Sequence, residues 1–394
     1  HSPLSTLNNK SPYMQPNDSL FSSFPPSSKD EWLAKVSKEL KGQPMENLDW
    51  LLGPELRVSP FAHREDWPQE LPPLPGERMN NDWEIGEDIP VDNIKEAHEW
   101  AMEALENGVQ APRWVLRRPL KPAEWQQLLN GIELSYVSTH ISGIQKVEEF
   151  PAIWSSFFEM VQQHPQRLSL RGSIYIHGLA FAEEAFAREM AALLSKSTLA
   201  LPGFRLLTVN GHLDYKGPEG VIDELAGILT RGARIMERYT DIGMPPEAVH
   251  HHIQLSVSVG TNYFAEIAKI RALKILWAHI MEAYGISHLS LPPVDVRFAE
   301  ESQTADPHQN MIRATTQAMS AVIGGADRLT VTPSDAAPGS KASSFARRIA
   351  RNVQHLLKME SALDRVIDPA AGSYYVELLT QVLGEKAWDA FSGR

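Results

Sequence analysis

Asn210, His212 and Asp214 alternate directly after the apolar run Phe204–Val209. If that run is a barrel strand, the three sit just past its C-terminal end, where barrel sites form, and could contact a ligand there. The same residues could equally supply loop-turn hydrogen bonds. Arg171 stands between Ser169 and Ser173 and could pair with a phosphate or carboxylate, or form a buried structural ion pair. His250-His251-His252 would place two imidazoles on one side of a strand. A metal site needs three or more ligands of fixed geometry, and no Asp or Glu at suitable spacing completes one, so solvated histidines at the start of a strand are expected. Arg347, Arg348 and Arg351 cluster at a helix start, where capping and salt bridging near Asp368 are expected. Without cysteine there is no disulfide, thiolate metal site or thiol nucleophile. Lys41-Gly42 belongs to no phosphate loop.

The elements that must position these residues come from a chain of 394 residues, 43% hydrophobic and 22% charged, the balance of a soluble globular protein. A formal charge of -12 repels phosphate backbones and anionic lipid, which argues against nucleic-acid or membrane partners. A cytoplasmic location is expected. His1-Ser2-Pro3 shows neither an initiator Met nor a signal-peptide pattern and reads as an expression remnant. Residues 1–28 are rich in Ser, Asn and Pro and read as a mobile arm, Asp30–Leu40 as a short amphipathic helix, and 68–76 as an extended Pro-rich linker. The arm and linker together (1–82) are assigned to subunit association, and 83–394 to one barrel.

From Trp83 onward, strand-like runs at Trp83–Ile85, Trp114–Arg117, Ser135–Thr139, Leu168–Ile176, Phe204–Val209, Ile253–Val259, Val294–Phe298 and Leu329–Thr332 are each followed by a helical stretch. Eight such units in succession predict an α/β fold, a closed (β/α)8 TIM barrel with an extended N-terminal arm. In the sixth helix Tyr263, Ile267, Ile270, Leu273, Trp277, Ile280 and Tyr284 form an apolar stripe; in the eighth, Phe345, Ile349, Val353 and Leu356 do the same. Gly324-Gly325 marks a helix end that needs a positive φ.

Four strands alternate in a telling way. Leu168 and Leu170 alternate with Ser169, Arg171 and Ser173; Leu207 and Val209 with Thr208 and Asn210; Leu255, Val257 and Val259 with Gln254, Ser256 and Ser258; Leu329 and Val331 with Thr330 and Thr332. The apolar set should face helices and the polar set the barrel axis. Small polar residues fill a core poorly, so the reading favours a hydrated or ligand-filled channel over a polar core satisfied by its own hydrogen bonds. Candidate lumen or substrate-facing residues are Arg171, Ser173, Thr208, Asn210, His212, Asp214, Gln254, Ser256 and Arg297. No catalytic or metal-binding residue is assigned.

Arg348-Ile349-Ala350-Arg351-Asn352, followed by Asp368-Pro369-Ala370-Ala371-Gly372-Ser373 and Tyr374-Tyr375-Val376-Glu377, resembles the signature of the methylmalonyl-CoA mutase family of cobalamin-dependent acyl-CoA mutases. Gly260-Thr261-Asn262-Tyr263-Phe264, Asn310-Met311-Ile312-Arg313 and Gly324-Gly325-Ala326 resemble other segments of the family. The resemblance implies a barrel whose axis takes the pantetheine of an acyl-CoA, and carbon-skeleton rearrangement by adenosylcobalamin radical chemistry. Catalytic members carry a Tyr-His pair within G-Y-H after the fifth strand; Gly211-His212-Leu213 stands at that place, so Leu213 replaces the histidine. Arg297 keeps the family's arginine after the seventh strand, but the pattern following it is lost. The family's cobalt ligand comes from a D-x-H-x-x-G motif, which Asp306-Pro307-His308 begins but Met311 breaks. The resemblance therefore implies the small, non-catalytic subunit type, with adenosylcobalamin ligated by a larger homologous partner subunit in a heterodimer. Two alternatives stay open: a catalytic barrel served by a separate cobalamin-binding subunit, and a stand-alone CoA-ester binding protein.

Overall fold

The computed structural model describes residues 27–52, 56–66, 74–144, 146–176, 183–287, 290–336 and 341–393. The expected arm therefore lies outside the described residues except for 27 and 28, and the expected linker except for 74–76. The first helix, α1 (Lys29–Glu39), is started by a capping box: Ser28 accepts from the Glu31 amide and the Glu31 carboxylate accepts from the Ser28 amide. Its Trp32 ring packs against Phe61 at 4.0 Å. A short antiparallel pair follows, β1 (Trp50–Leu51) and β2 (Arg57–Val58).

The body then alternates: β3 (Glu84–Val91), α2 (Ile94–Glu106), β4 (Ala111–Leu116), α3 (Pro122–Leu128), β5 (Ser138–Ile144), α4 (Phe150–Val161), β6 (Arg171–Ile176) and α5 (Glu184–Ala200). Next come β7 (Gly203–Arg205), β8 (Leu207–Asn210), α6 (Val221–Asp241), α7 (Pro246–His251), β9 (Ile253–Val259) and α8 (Tyr263–Ala283). The chain ends with β10 (Val294–Phe298), α9 (Pro307–Ile323), β11 (Arg328–Thr330), α10 (Ser344–Met359) and α11 (Tyr374–Ser392). All pairings among β3–β11 are parallel, in the order β7-β6-β5-β4-β3-β11-β10-β9-β8. β7 and β8 are one strand interrupted at Leu206: β7 pairs with β6 and β8 with β9, so the sheet closes on itself. The result is the expected eight-unit barrel.

Several boundaries differ from the sequence reading. Residues 167–169 form a 3-10 turn, so β6 starts at Arg171 and Leu168, expected on the helix-facing side, is 58% exposed. β3 runs on to Val91, and α2 starts only after Asn93, whose side chain caps the Glu96 amide. In α10 the expected stripe is only partly right: Phe345 and Leu356 are exposed, and the buried face carries Ala346, Ala350, Val353 and Leu357 together with Arg347, Arg351 and Gln354. The α8 stripe is buried from Ile267 to Ile280 and partly buried at Tyr263 and Tyr284, but most of the helix's other face is buried too, because α11 covers it.

Ion pairs explain the odd face of α10. Arg347 Nε and Arg351 Nη1 hold the Glu87 carboxylate of β3 at 2.7 and 2.9 Å, and both reach Glu103 of α2 at 2.8 Å. These arginines thus serve Glu87 and Glu103, not the Asp368 turn. That turn, with Asp368 at φ +49, is held by Arg271 of α8, which also pairs with Glu377 of α11 at 2.7 Å. The long R-I-A-R-N to D-P-A-A-G-S pattern is therefore a pair of joints between helices and sheet.

The three histidines are not solvated. His250 and His251 end α7 and His252 follows; His250 and His252 are buried. Their rings diverge: Trp277 Nε1 donates to His250 at 3.3 Å, His251 Nε2–H donates to the Pro202 carbonyl, and His252 Nε2 lies 2.8 Å from Thr198 Oγ1. Burial pulls His250 and His252 down to about 4.

Two consequences can be measured. Glu87→Ala removes the buried carboxylate shared by two guanidiniums, leaves them only the partly exposed Glu103, and should cost about 3 kcal/mol of unfolding free energy by chemical denaturation; a cost near zero would contradict the joint. The ordinary imidazole value is 6.5, so between 6.5 and about 4 the unfolded chain takes up protons at His250 and His252 that the native chain refuses. Stability is then full above 6.5 and falls as pH drops toward 4, by up to about 1.4 kcal/mol per pH unit for each histidine. His252→Gln should flatten the stability–pH slope by one such increment.

Candidate functional site

The barrel interior is built from alternate residues of every strand, and it is charged. Arg113 of β4 reaches Asp88 of β3 at 2.5 Å and, across the axis, Asp295 of β10 at 3.4 Å. β4 and β10 are separated by β3 and β11, so this second contact spans the lumen. Arg328 of β11 donates through Nε to Asp295 at 2.6 Å and contacts His140 of β5 on the far side. Arg297 of β10 holds the other oxygen of Asp88 at 3.0 Å. Arg113 and Arg328 both lie over the Tyr175 ring, at 5.1 and 5.3 Å. Nearer the N-terminal end, Glu84 accepts from Ser138 at 2.5 Å and pairs with Arg171 at 3.7 Å.

Burial sets the protonation of this layer. It raises the Asp295 carboxyl to about 6, against the pull of Arg113 and Arg297. His140 is pushed well below the usual imidazole range by burial and then by Arg328, Arg113 and Arg171, so it is neutral near pH 7. Asp88 is only partly buried; desolvation works upward on it, but Arg113 and Arg297 hold it below the usual carboxylate range.

The residues singled out from the sequence distribute around this layer. Ser173 Oγ lies 2.6 Å from His140 Nδ1. Thr208 donates to the Ile174 carbonyl at 2.7 Å and accepts from Gln254 at 2.7 Å. His212 lies over the C-terminal end, with Nδ1 2.6 Å from Ser258 Oγ and Nε2 2.9 Å from Ser256 Oγ, and its amide donates to Asn210 at 3.0 Å. Ser256 also donates weakly to Asp295 at 3.4 Å. Arg171 makes an ion pair, but its side chain is 59% exposed. Asp214 turns outward and pairs with Arg231 of α6 at 2.5 Å. Leu213 is 58% exposed on the C-terminal rim.

Glu84, Asp88, Arg113, His140, Asp295 and Arg328 were missed. A signal existed in β10, where Asp295 and Arg297 alternate with Val294, Val296 and Phe298; in β3 it was blurred, because Glu87 stands beside Asp88. The expected strands Trp83–Ile85 and Trp114–Arg117 were too short or shifted to include Asp88 and Arg113. The expected alternation holds, but the charged side chains cross the axis where a channel was favoured.

Beside the rim sits a second buried cluster, outside the sheet. Lys269 of α8 pairs with Glu224 of α6 at 2.7 Å and Glu266 at 2.5 Å, and donates to the Ser258 carbonyl at 2.7 Å. Tyr215 donates to Glu266 at 2.8 Å. The cluster is compensated internally and fixes the loop that carries His212 and Leu213. His308 sits in the first turn of α9, where the Asp306 carboxylate accepts from the His308 backbone amide at 2.9 Å as the N-cap. No Asp–imidazole couple forms, so these residues do not fit cobalt ligation.

Comparison with known proteins follows the same lines. Residues 123–393 match the sequence profile of the family described as Methylmalonyl-CoA mutase. A methylmalonyl-CoA mutase small subunit of Porphyromonas gingivalis is 34% identical over 95% of this chain and 64% of its own length. A small subunit of Streptomyces virginiae is 37% identical over 48% of this chain and 31% of its own. A methylmalonyl-CoA mutase of Cereibacter sphaeroides is 27% identical over 91% and 57%. The chain thus spans less than two thirds of the length of these relatives. Among the described residues no helix is long and apolar enough to cross a membrane.

The lumen network is testable by a double-mutant cycle on Arg328→Met and Asp295→Asn. Coupling of about 1–3 kcal/mol in unfolding free energy is expected for one buried network; additivity within about 0.5 kcal/mol would dissolve the pair.

Proposed function

The chain belongs to the methylmalonyl-CoA mutase family, and from that premise we propose that it is a small-subunit barrel that does not itself perform the rearrangement. It assembles with a larger homologous subunit. That partner ligates adenosylcobalamin, which supplies the radical, and interconverts methylmalonyl-CoA and succinyl-CoA. Two relatives bear the name small subunit, which supports the assembly.

The observation that carries the reading is the Arg113–Asp295–Arg328 crossing of the lumen. Pantetheine threaded along the axis would have to displace paired, buried charges, and stranding one partner of such a pair costs several kcal/mol. Two further features agree. Leu213, at the place of the catalytic histidine, can neither donate a hydrogen bond to a thioester carbonyl nor move a proton. The imidazole beside it, His212, has both nitrogens engaged by serines. What the chain's own residues do is keep the barrel closed and rigid, as a scaffold for the partner. The N-terminal segment, 1–82, is assigned to holding that partner, in a cytoplasmic enzyme.

The test is capture of this chain from its native lysate with a mutase assay, beside calorimetry of methylmalonyl-CoA with the chain alone. Recovery of a longer mutase homologue with the activity, and no acyl-CoA binding by the isolated chain, is expected. Saturable acyl-CoA binding by the isolated chain, with turnover once a separate cobalamin-binding domain is added, would overturn the non-catalytic assignment.

A further inference from the structure

At the opposite, N-terminal end of the barrel lies a cavity of about 250 Å³ lined by Arg78, Arg205, Lys274, Asp327, Leu291 and Pro293, among others. Its position follows from topology: Arg205 is in the first residues of the β7–β8 strand, while Pro293 and Asp327 immediately precede β10 and β11. Nothing in the lumen network or on the C-terminal rim uses these groups.

The cavity's charge is unbalanced. Lys274 Nζ donates to the Gly325 carbonyl at 2.6 Å, and Arg78 Nη1 donates to the same oxygen at 3.0 Å. Gly325 has φ +93, and a Cβ there would lie 2.5 Å from Lys274 Nζ and 3.0 Å from Arg78 Nη1, so the two cations converge over a position that only glycine fits. Asp327 is the nearby counter-charge, but it is occupied: it pairs with Arg78 at 3.3 Å and accepts from the Val294 amide at 2.8 Å. Glu77 also lines the cavity but is an exposed residue. Among the described residues no carboxylate forms an ion pair with Lys274, which is 5% exposed, or with Arg205, whose recorded partner is the His251 carbonyl. An ammonium has three donors, and the bond to the Gly325 carbonyl uses one of them. Burial draws the Lys274 ammonium down to about 8; Asp327 opposes the shift, and Arg78 and Arg271 add to it.

A buried ammonium whose nearby carboxylate, Asp327, is already engaged by Arg78 and the Val294 amide is costly, and an anion with several acceptor oxygens offsets that cost. A tetrahedral oxyanion suits a cavity of this size, an ammonium as point charge and guanidinium forks at its wall. We propose that this cavity is an oxyanion site that takes inorganic phosphate or the phosphate group of a small ester, with Lys274 and Arg205 supplying the charge and Arg78 orienting it. The site is independent of the proposed subunit role and of the lumen.

The experiment is calorimetric titration of the whole chain with inorganic phosphate and, separately, with glycerol 3-phosphate, at matched ionic strength. Wild type, Lys274→Met and Arg205→Gln are compared, with circular dichroism as the check on folding. Because Lys274 is buried, its variant could fail to fold; Arg205, part-exposed at the rim, keeps the test decisive. Saturable phosphate binding, weakened roughly tenfold or more in folded Arg205→Gln, is the expected result, since about 1.4 kcal/mol of lost attraction is a factor of ten. Equal affinity for the two probes assigns the free oxyanion, and tighter binding of glycerol 3-phosphate assigns an ester. Absence of saturable binding of either probe to wild type, or undiminished binding in Arg205→Gln, overturns the site.

Discussion

A closed parallel barrel forces every second strand residue into a narrow common interior, and in this protein those residues carry charge. The rest of the structure depends on balancing Asp88 and Asp295 against Arg113, Arg297 and Arg328 within that space. Neighbouring strands supply part of it, Arg113 to Asp88 and Arg328 to Asp295. Arg113 reaches Asp295 past the intervening β3 and β11, and Arg328 meets His140 past β3 and β4, both across the curved inner face. An open sheet would keep the neighbour-strand pairs Arg113–Asp88 and Arg328–Asp295 but lose the contacts that cross the lumen, so closure completes the neutralisation. Keeping His140 neutral follows from the same balance, since another positive charge beside two guanidiniums would upset it.

The same solution recurs outside the sheet. Glu87 of β3 is buried under α10 and α2 and is matched by Arg347 and Arg351. Lys269 is buried between α6 and the strands and is matched by Glu224 and Glu266. Arg271 ties α8 to the Asp368 turn and to α11. Such pairs add little net stability over well-packed apolar groups, but breaking one is expensive, so each fixes which helix lies on which strand. The most recognisable part of the sequence is thus architectural: its arginines and its turn hold α10 and α11 on the barrel.

This arrangement separates what the fold offers from what this chain does with it. A barrel places potential chemistry at its C-terminal rim. Here that rim presents Leu213 and a histidine bonded to two serines, above a lumen crossed by salt bridges. A shared fold does not carry an activity with it; the site residues do. The cavity proposed for an oxyanion lies at the other end, around Lys274 and Arg205.

The sequence by itself determined the barrel, because eight apolar runs alternate with helical stretches and each run's side-chain period is local. It determined β9 and β10 to the residue, since Ile253–Val259 and Val294–Phe298 have unambiguous alternation. It also determined that the polar side of the strands turns inward, and the family pattern of residues 348–377 was readable as text. What it left open depends on distance in three dimensions. The histidines at 250–252 looked solvated because nothing local announces Trp277 or Thr198 beside them. Only the tertiary structure decided that the lumen is crossed by ion pairs, because Arg113 and Asp295 are 182 residues apart and no local pattern couples them. The reason is physical: side-chain direction along a strand is set by its own backbone, whereas the partner of a buried charge is set by closure of the whole sheet.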